Sequence, residues 1–199
     1  MSDLVDGAFA TRRRTRLFDE LLDLFLAEGF SRFTLDDIAS RLRCSKSTLY
    51  TLATSKDELV RRVTVHFFKR ATAAVEATLA QTTDAKDRVV AYLTAVGDEL
   101  AVASEQFMAD LNAFAPTREV YEANTHAAAQ RVRRLIEEGV AAGVFRAVNA
   151  AFAADLIATT MVRIQQREVG AATGLTDAEA YAELATLLTR GLLSGPPPG

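Results

Sequence analysis

TLDDIASRLRCSKSTLYTLATSK, residues 34–56, contains two short helical patterns separated by a tight turn. Leu35, Ile38, Ala39 and Leu42 recur at helical spacing, so the first pattern has one apolar face. That face can lie across a second helix carrying Leu49 and Leu52. The outer side of the second helix is left with Lys46, Ser47, Thr48, Tyr50 and Thr51. A cation, hydroxyls and a phenol are the groups that reach phosphates and base edges in a major groove. Thr34 followed by Asp37 predicts a capping box, and Ser45 predicts a cap that turns the positive end of the second helix toward a phosphate. Ser55 and Glu58 repeat the box, so a new helix is expected directly after the second one.

On the N-terminal side, Phe18, Leu21, Leu22 and Phe25 fall at i, i+3, i+4 and i+7, which predicts a helix starting near Arg12. Gly29 ends it, and Phe30 with Phe33 are expected to plug a small three-helix core. Residues 1–11 have no periodicity and read as a frayed lead. Arg12, Arg13, Arg14 and Arg16 open this helix, and the charge of the chain is divided accordingly. Residues 1–70 hold 13 Lys and Arg against 10 Asp and Glu, whereas residues 71–199 hold 10 against 16. A basic first third on an acidic remainder turns one end toward phosphate, although the net charge is −3.

The order of these parts, a basic amphipathic helix ending in AEGF, then TLDDIA, SKSTLY and SKDEL over residues 12–60, resembles the DNA-binding domain of the tetracycline-repressor (TetR) family of bacterial transcription regulators. RRLIEEGVAAGVFR, residues 133–146, carries a weaker likeness further along. The resemblance implies a helix-turn-helix joined to a dimerising, ligand-binding helical domain, with DNA released when a small-molecule effector binds. It implies DNA contact by Lys46, Thr48, Tyr50 and Lys56, support from Thr34, Ser45, Ser47 and Thr51, and a grip on flanking phosphates or the minor groove by Arg12, Arg13 and Arg14. Three positions depart from the family pattern. Ser47 stands where glycine is frequent, Leu52 where histidine or tyrosine often touches the backbone, and Ala53 where phenylalanine often packs. The first two bear on operator preference; the third implies looser packing under the reading head.

Further helices are expected over about 56–80, then after Thr83 or Asp84, after Ser104, from Pro116 to about 142, from Asn149 to about 168, and after a Thr176–Glu179 box. VGAATG reads as a turn and GPPPG as a disordered tail. The expected fold is all-α with about nine helices: a DNA-binding domain over residues 1–55, a regulatory and dimerisation domain over 56–194, and a tail over 195–199. Apolar C-terminal helices suggest a four-helix interface with a second copy, through Phe152, Leu156, Ile164, Tyr181, Leu184, Leu188 and Leu192. A homodimer reads a palindrome with half-sites about 34–36 Å apart, or a multiple. The effector pocket is expected among Tyr92, Phe107, Met108, Asn112, Phe114, Tyr121, Asn124, His126, Thr160, Met161, Arg163 and Gln166. Arg163, in an apolar helix, would serve either an anionic ligand or an ion pair with the dimer mate.

No phosphate loop, HExxH or CxxC is present, and Ser104 with His126 lacks a placed acid. The reading is of a DNA-binding homodimer, not an enzyme, with no cofactor and no metal; Glu122 with His126 supplies only two ligands. The alternative is a regulator controlled by a protein partner, or an activator, without a small ligand, and after it a small-molecule-binding enzyme. The longest apolar runs are too short to span a bilayer, and the acids in MSDLVDGAFA do not suit a secretory signal, so the cytoplasm is expected. Cys44 is the single cysteine and reads as a small packed residue.

Overall fold

The computed structural model describes residues 2–193, with side chains from Arg13 onward. The side chain of Arg12 and the GPPPG tail lie outside the described residues. Ten helices follow in order: α1 Ser2–Glu28, α2 Leu35–Arg41, α3 Lys46–Tyr50, α4 Lys56–Ala80, α5 Ala85–Ala101, α6 Glu105–Ala113, α7 Ala115–Ala141, α8 Ala150–Gln165, α9 Glu168–Thr173 and α10 Asp177–Leu192. The fold is all-α, and the described residues contain one isolated bridge, Phe145 to Leu193, and no strand.

Three boundaries differ from the sequence reading. The first helix starts at Ser2 rather than Arg12, because residues 2–11 contain no proline and only one glycine to break it. α8 stops at Gln165, and Arg167 in a left-handed conformation opens the short α9 where VGAATG was expected to be a turn. Gly174, with φ of 78°, ends that extra helix.

Residues 1–69 and 103–121 form the first of two compact units. It therefore reaches beyond residue 55 to include α6 and the start of α7, for a physical reason. The Ser104 N–H donates to the Leu26 carbonyl at 2.9 Å, and buried Asp110 in α6 grips the turn that follows α1. Its carboxylate accepts from Phe30 N at 2.6 Å, Ser31 N at 2.8 Å, Ser31 Oγ at 2.7 Å and Gln106 Nε2 at 2.8 Å. Burial pushes this carboxyl up, but the hydrogen bonds from Ser31, Phe30 and Gln106 outweigh it and hold it below the ordinary aspartate range. Gly29 sits against the same carboxylate at φ +73°, where an added Cβ would come within 2.5 Å of Asp110 Oδ2. Leu21, Leu22, Phe25, Phe30, Phe33, Ile38, Leu49, Leu59 and Phe107 fill the core of this unit. Phe30 meets Phe107 edge-on at 6.1 Å between centroids, and each buried side chain of this size contributes about 1.5–3 kcal/mol.

Residues 70–102 and 122–199 form the second unit. Its core joins Val75, Leu79, Val89, Leu93, Val132, Ile136, Ile157, Met161 and Tyr181. Close approach is set by glycines: Gly97 of α5 faces the Tyr181 ring of α10, with an imagined Cβ 3.1 Å from it, and Gly139 of α7 leaves room for the Phe145 ring. The Tyr181 hydroxyl accepts from buried Gln165 at 2.9 Å, which satisfies both polar groups inside an apolar core. Across α4 and α7, Arg131 bridges Glu76 at 2.8 and 3.0 Å, and from α5 Arg88 reaches Glu138 of α7 at 2.5 Å. Asn149 and the Thr176–Glu179 box cap α8 and α10 as expected, each cap contributing about 1 kcal/mol.

Candidate nucleic-acid interface

Local chemistry sets the shape of the reading head. Thr34 caps α2 in a full capping box, its hydroxyl accepting from Asp37 N at 3.2 Å while Asp37 accepts from Thr34 N at 2.8 Å. Hydrogen bonds from the Thr34 hydroxyl and N–H hold the Asp37 carboxyl below its ordinary value. Ser45 caps α3 by accepting from Thr48 N at 3.2 Å. Ile38, Leu49 and Leu52 are the buried contacts beneath. At the far end, Arg62 donates to the Leu52 carbonyl at 2.7 Å and pairs with Glu58. Glu58 also accepts from Thr54 N at 2.7 Å and Thr54 Oγ1 at 2.5 Å, and these contacts bring its carboxyl down to about 2. The second box is thus one residue out of the expected register. Ser55 Oγ does accept from Glu58 N at 3.1 Å, but the Glu58 side chain turns back to Thr54.

With α3 fixed, its outer face presents the expected hydroxyls together. Ser45 Oγ lies 2.7 Å from Ser47 Oγ and 2.9 Å from Thr48 Oγ1. Thr51 Oγ1 donates to the Thr48 carbonyl at 2.6 Å, and Tyr50 is 52% exposed, an unusual placement for a large aromatic side chain. Arg13, Arg14, Ser47, Thr48 and Thr51 line one groove of about 490 Å³, floored by Leu17 and Leu52. The arginines of α1 and the hydroxyls of α3 therefore act on the same space, although more than 30 residues separate them in the chain. Such a groove offers guanidinium forks and hydroxyl donors to phosphate oxygens.

Other expected contacts are already engaged. Lys46 Nζ lies 2.7 Å from Asp36 Oδ2, and that hydrogen bond raises the ammonium pKa. Lys56 Nζ donates to the Ser31 carbonyl at 3.0 Å, which ties it to the turn after α1. Leu52 and Ala53, 2% and 5% exposed, face the core, so Leu52 does not reach outward and the packing over Ala53 is closed rather than loose. Cys44 is half-buried, and burial followed by the Glu20 charge pushes its thiol up, which suits a packed thiol. His66, half-buried, hydrogen-bonds Asp19 at 2.9 Å.

The expected effector residues are divided between the two units. Phe107, Met108, Asn112, Phe114 and Tyr121 belong to the first unit, whereas Tyr92, Asn124, His126, Thr160, Met161, Arg163 and Gln166 belong to the second. Phe107, Met108, Tyr121, Tyr92 and Met161 are buried core, and Asn112 donates to the Met108 carbonyl of its own helix. Arg163 is exposed and pairs with Glu168 of its own chain at 3.2 Å, so it does not face the interior. Burial pushes the Tyr92 hydroxyl up to about 12, which keeps it a neutral core phenol. The second unit has an open groove of about 480 Å³ between α4 and α5, lined by Ala74, Thr78, Val90, Thr94 and Asp98 among others and by none of the expected residues.

The residues expected at the dimer interface differ in exposure. Ile164, Tyr181 and Leu192 are buried within their own unit, because each points into the α5–α8–α10 core rather than away from it. Leu184 and Leu188 are half-buried, and Phe152 and Leu156 are 70% and 52% exposed. Leu187, also on α10, is 68% exposed. Among the described residues, no group of three or more His, Cys, Asp or Glu is placed to hold a metal ion, and no helix is long and apolar enough to cross a membrane.

Comparison with known proteins bears on this geometry. No curated protein sequence matches the chain. The fold matches PfmR, a TetR-family transcriptional regulator from Thermus thermophilus, at 23% identity and TM-score 0.66, covering 90% of this chain and 100% of that one. It also matches a chain from Saccharomonospora viridis described as a transcriptional regulator and solved with choline, at 19% identity and TM-score 0.72, covering 93% and 100%. A third is the fatty acid degradation regulator FadR from Bacillus halodurans, at 15% identity and TM-score 0.68, covering 89% and 94%. Residues 17–63, from the end of the arginine cluster through α2, α3 and the start of α4, match the family model of bacterial regulatory proteins of the tetR family. Over these residues the chain is similar to the bacterial regulatory proteins of the tetR family.

Proposed function

We propose that the protein is a transcriptional repressor that binds a palindromic operator as a homodimer and leaves it when a small molecule binds. The observation that carries the DNA side is the groove in which Arg13 and Arg14 of α1 meet Ser47 and Thr48 of α3 and Thr51 at its C-terminal end. Tyr50, Thr48 and Lys46 read the major groove, Lys46 exchanging Asp36 for a phosphate, while the α1 arginines hold the flanking backbone. Lys56 and Thr34 contribute by fixing the head rather than by touching DNA.

The second copy is recruited by the exposed apolar residues Phe152 and Leu156 of α8 and Leu187 of α10, flanked by half-buried Leu184 and Leu188. Side chains of this size left in water favour association, at about 25 cal/mol for each Å² covered. The effector occupies the helical part of the chain outside the DNA-binding domain; the groove along α4 and α5 has the size of a drug-like ligand, and a relative of the same fold was solved with choline. An effector can shift the molecule away from the DNA-bound shape only by its differential affinity for the two shapes.

The test is recovery and sequencing of random genomic fragments bound at moderate salt. A palindrome with half-sites one helical turn apart, or a multiple, is the expected result. Recovery without sequence preference, at any salt, would remove the operator reading.

A further inference from the structure

Arg43 lies in the turn between α2 and α3, and its backbone is left-handed. Among the described residues other than glycine, only Arg43 and Arg167 have a positive φ, 49° and 61°. That conformation brings Cβ against the following carbonyl, a cost that glycine avoids and that only short polar side chains ease. A long arginine has no local hydrogen bond to offset it. What the turn requires is backbone: Arg43 N donates to the Ser40 carbonyl at 3.2 Å and Cys44 N to the Ala39 carbonyl at 2.9 Å. Glycine would make the same two bonds with less strain.

The two left-handed arginines differ in what their side chains do. Arg167 is anchored within the protein, its Nη1 lying 2.5 Å from Asp177. Arg43 is exposed and, among the described residues, has no ion pair or hydrogen bond through its side chain. Several other cations of the first unit are engaged. Arg32 and Arg41 share Glu28 and sit within 5 Å of the Phe33 ring, at 4.9 and 4.7 Å. Lys46 pairs with Asp36, Lys56 bonds the Ser31 carbonyl, and Arg62 holds Glu58 and the Leu52 carbonyl. The fold thus keeps a strained residue whose side chain it does not use, three positions before Lys46.

We propose that Arg43 is an additional contact to the DNA backbone, its guanidinium forking onto a phosphate beside the groove that α3 enters. This rests on the DNA-binding reading above. It makes the residue a trade of local stability for a free charge three positions before Lys46.

The experiment compares the full-length protein with Arg43→Gly and Arg43→Lys. Anisotropy titrations use a labelled random-sequence duplex of about 40 bp over roughly 50–200 mM salt, and thermal unfolding is followed on the same samples. Arg43→Gly is expected to melt at or slightly above the wild-type temperature, because the left-handed strain is relieved. Its log K against log salt slope is expected to fall by about 0.9 for each bound chain, with affinity at about 0.1 M salt reduced roughly three- to tenfold. Arg43→Lys is expected to keep the wild-type slope. A wild-type slope in Arg43→Gly, or a melting temperature lowered by several degrees, would overturn the proposal, the second result assigning the side chain to the turn itself. Absence of salt-dependent binding by the wild type would instead remove the DNA-binding reading, and this inference with it.

Discussion

Replacing Asp110 by alanine tests how the first unit is held together. Asp110 is 4% exposed and accepts four hydrogen bonds, two of them from the backbone of Phe30 and Ser31. Alanine leaves the Phe30 and Ser31 N–H groups without an acceptor, and a buried donor left unmade costs about 1–3 kcal/mol. Ser31 is exposed, so water recovers part of its bond, and the expected loss is about 2–4 kcal/mol. For a chain of this length that lowers the melting temperature by roughly 5–15 °C. Asparagine retains an acceptor for both N–H groups but turns a donor toward Gln106 Nε2, so the expected loss is about 1 kcal/mol. The pH dependence has a definite sign. The folded carboxyl is held below the ordinary value of 3.8, so its contribution is fully present above that pH and fades as pH falls through the folded value. Thermal melts of wild type and Asp110→Ala at pH 7, 5 and 3.5 are the assay, with a difference that is constant between the first two and smaller at the third. A difference under about 1 °C at pH 7, or one that widens on acidification, would refute the argument.

Four further outcomes are expected. Gly29→Ala destabilises the chain by about 2 kcal/mol or more, measurable in urea, because φ is +73° and the new methyl meets Asp110 Oδ2 and Gln106 Cγ at 2.5 and 2.6 Å. Asp36→Asn tightens binding to duplex DNA a few-fold at low salt, since Lys46 loses its intramolecular competitor; weaker binding in the same titration would place Asp36 among the specificity determinants instead. Leu187→Glu with Phe152→Glu lowers the apparent mass in sedimentation from dimer to monomer, and an unchanged mass would move the interface elsewhere. Glu58, brought down to about 2 by Thr54 and Arg62, stabilises the start of α4 above its ordinary value of 4.5, and that contribution is lost as pH falls toward 2; Glu58→Gln therefore differs from wild type in melting at pH 6 and converges with it in strong acid.

The features legible in the sequence are those whose chemistry is local. Thr34 with Asp37, Ser45 with Thr48, Asn149 with Phe152 and Thr176 with Glu179 each close within three residues, so spacing and residue type are enough to mark each helix start. The apolar period of α1 and α2 likewise identifies Leu21, Leu22, Phe25 and Ile38 as core. The grip of Asp110 on Phe30 and Ser31 spans about 80 residues, and no spacing rule reaches that far. Periodicity also marks a face as apolar without saying what covers it. Tyr181, Ile164 and Leu192 satisfy the pattern of an interface and are core, while Leu187, one position off the same stripe, faces outward. Arg43 is illegible for another reason: a left-handed residue is signalled by glycine or asparagine, and arginine gives no such mark.

The engagement of cations around the reading head has a consequence for how DNA is recognised. Lys46 and Asp36 are both exposed, and an exposed pair of this kind contributes between about 0 and 1 kcal/mol, so exchanging Asp36 for a phosphate costs little. Lys56 and Arg62 differ, because each holds a main-chain carbonyl, Ser31 and Leu52, and releasing either would loosen the turns that aim α3. Cations at the head therefore divide by what they release. Those paired to side chains are available to DNA, whereas those paired to backbone are part of the scaffold. Arg13, Arg14, Lys46 and Arg43 carry the electrostatic attraction in the proposed complex, and the geometry that makes it specific is held by residues that never leave the protein.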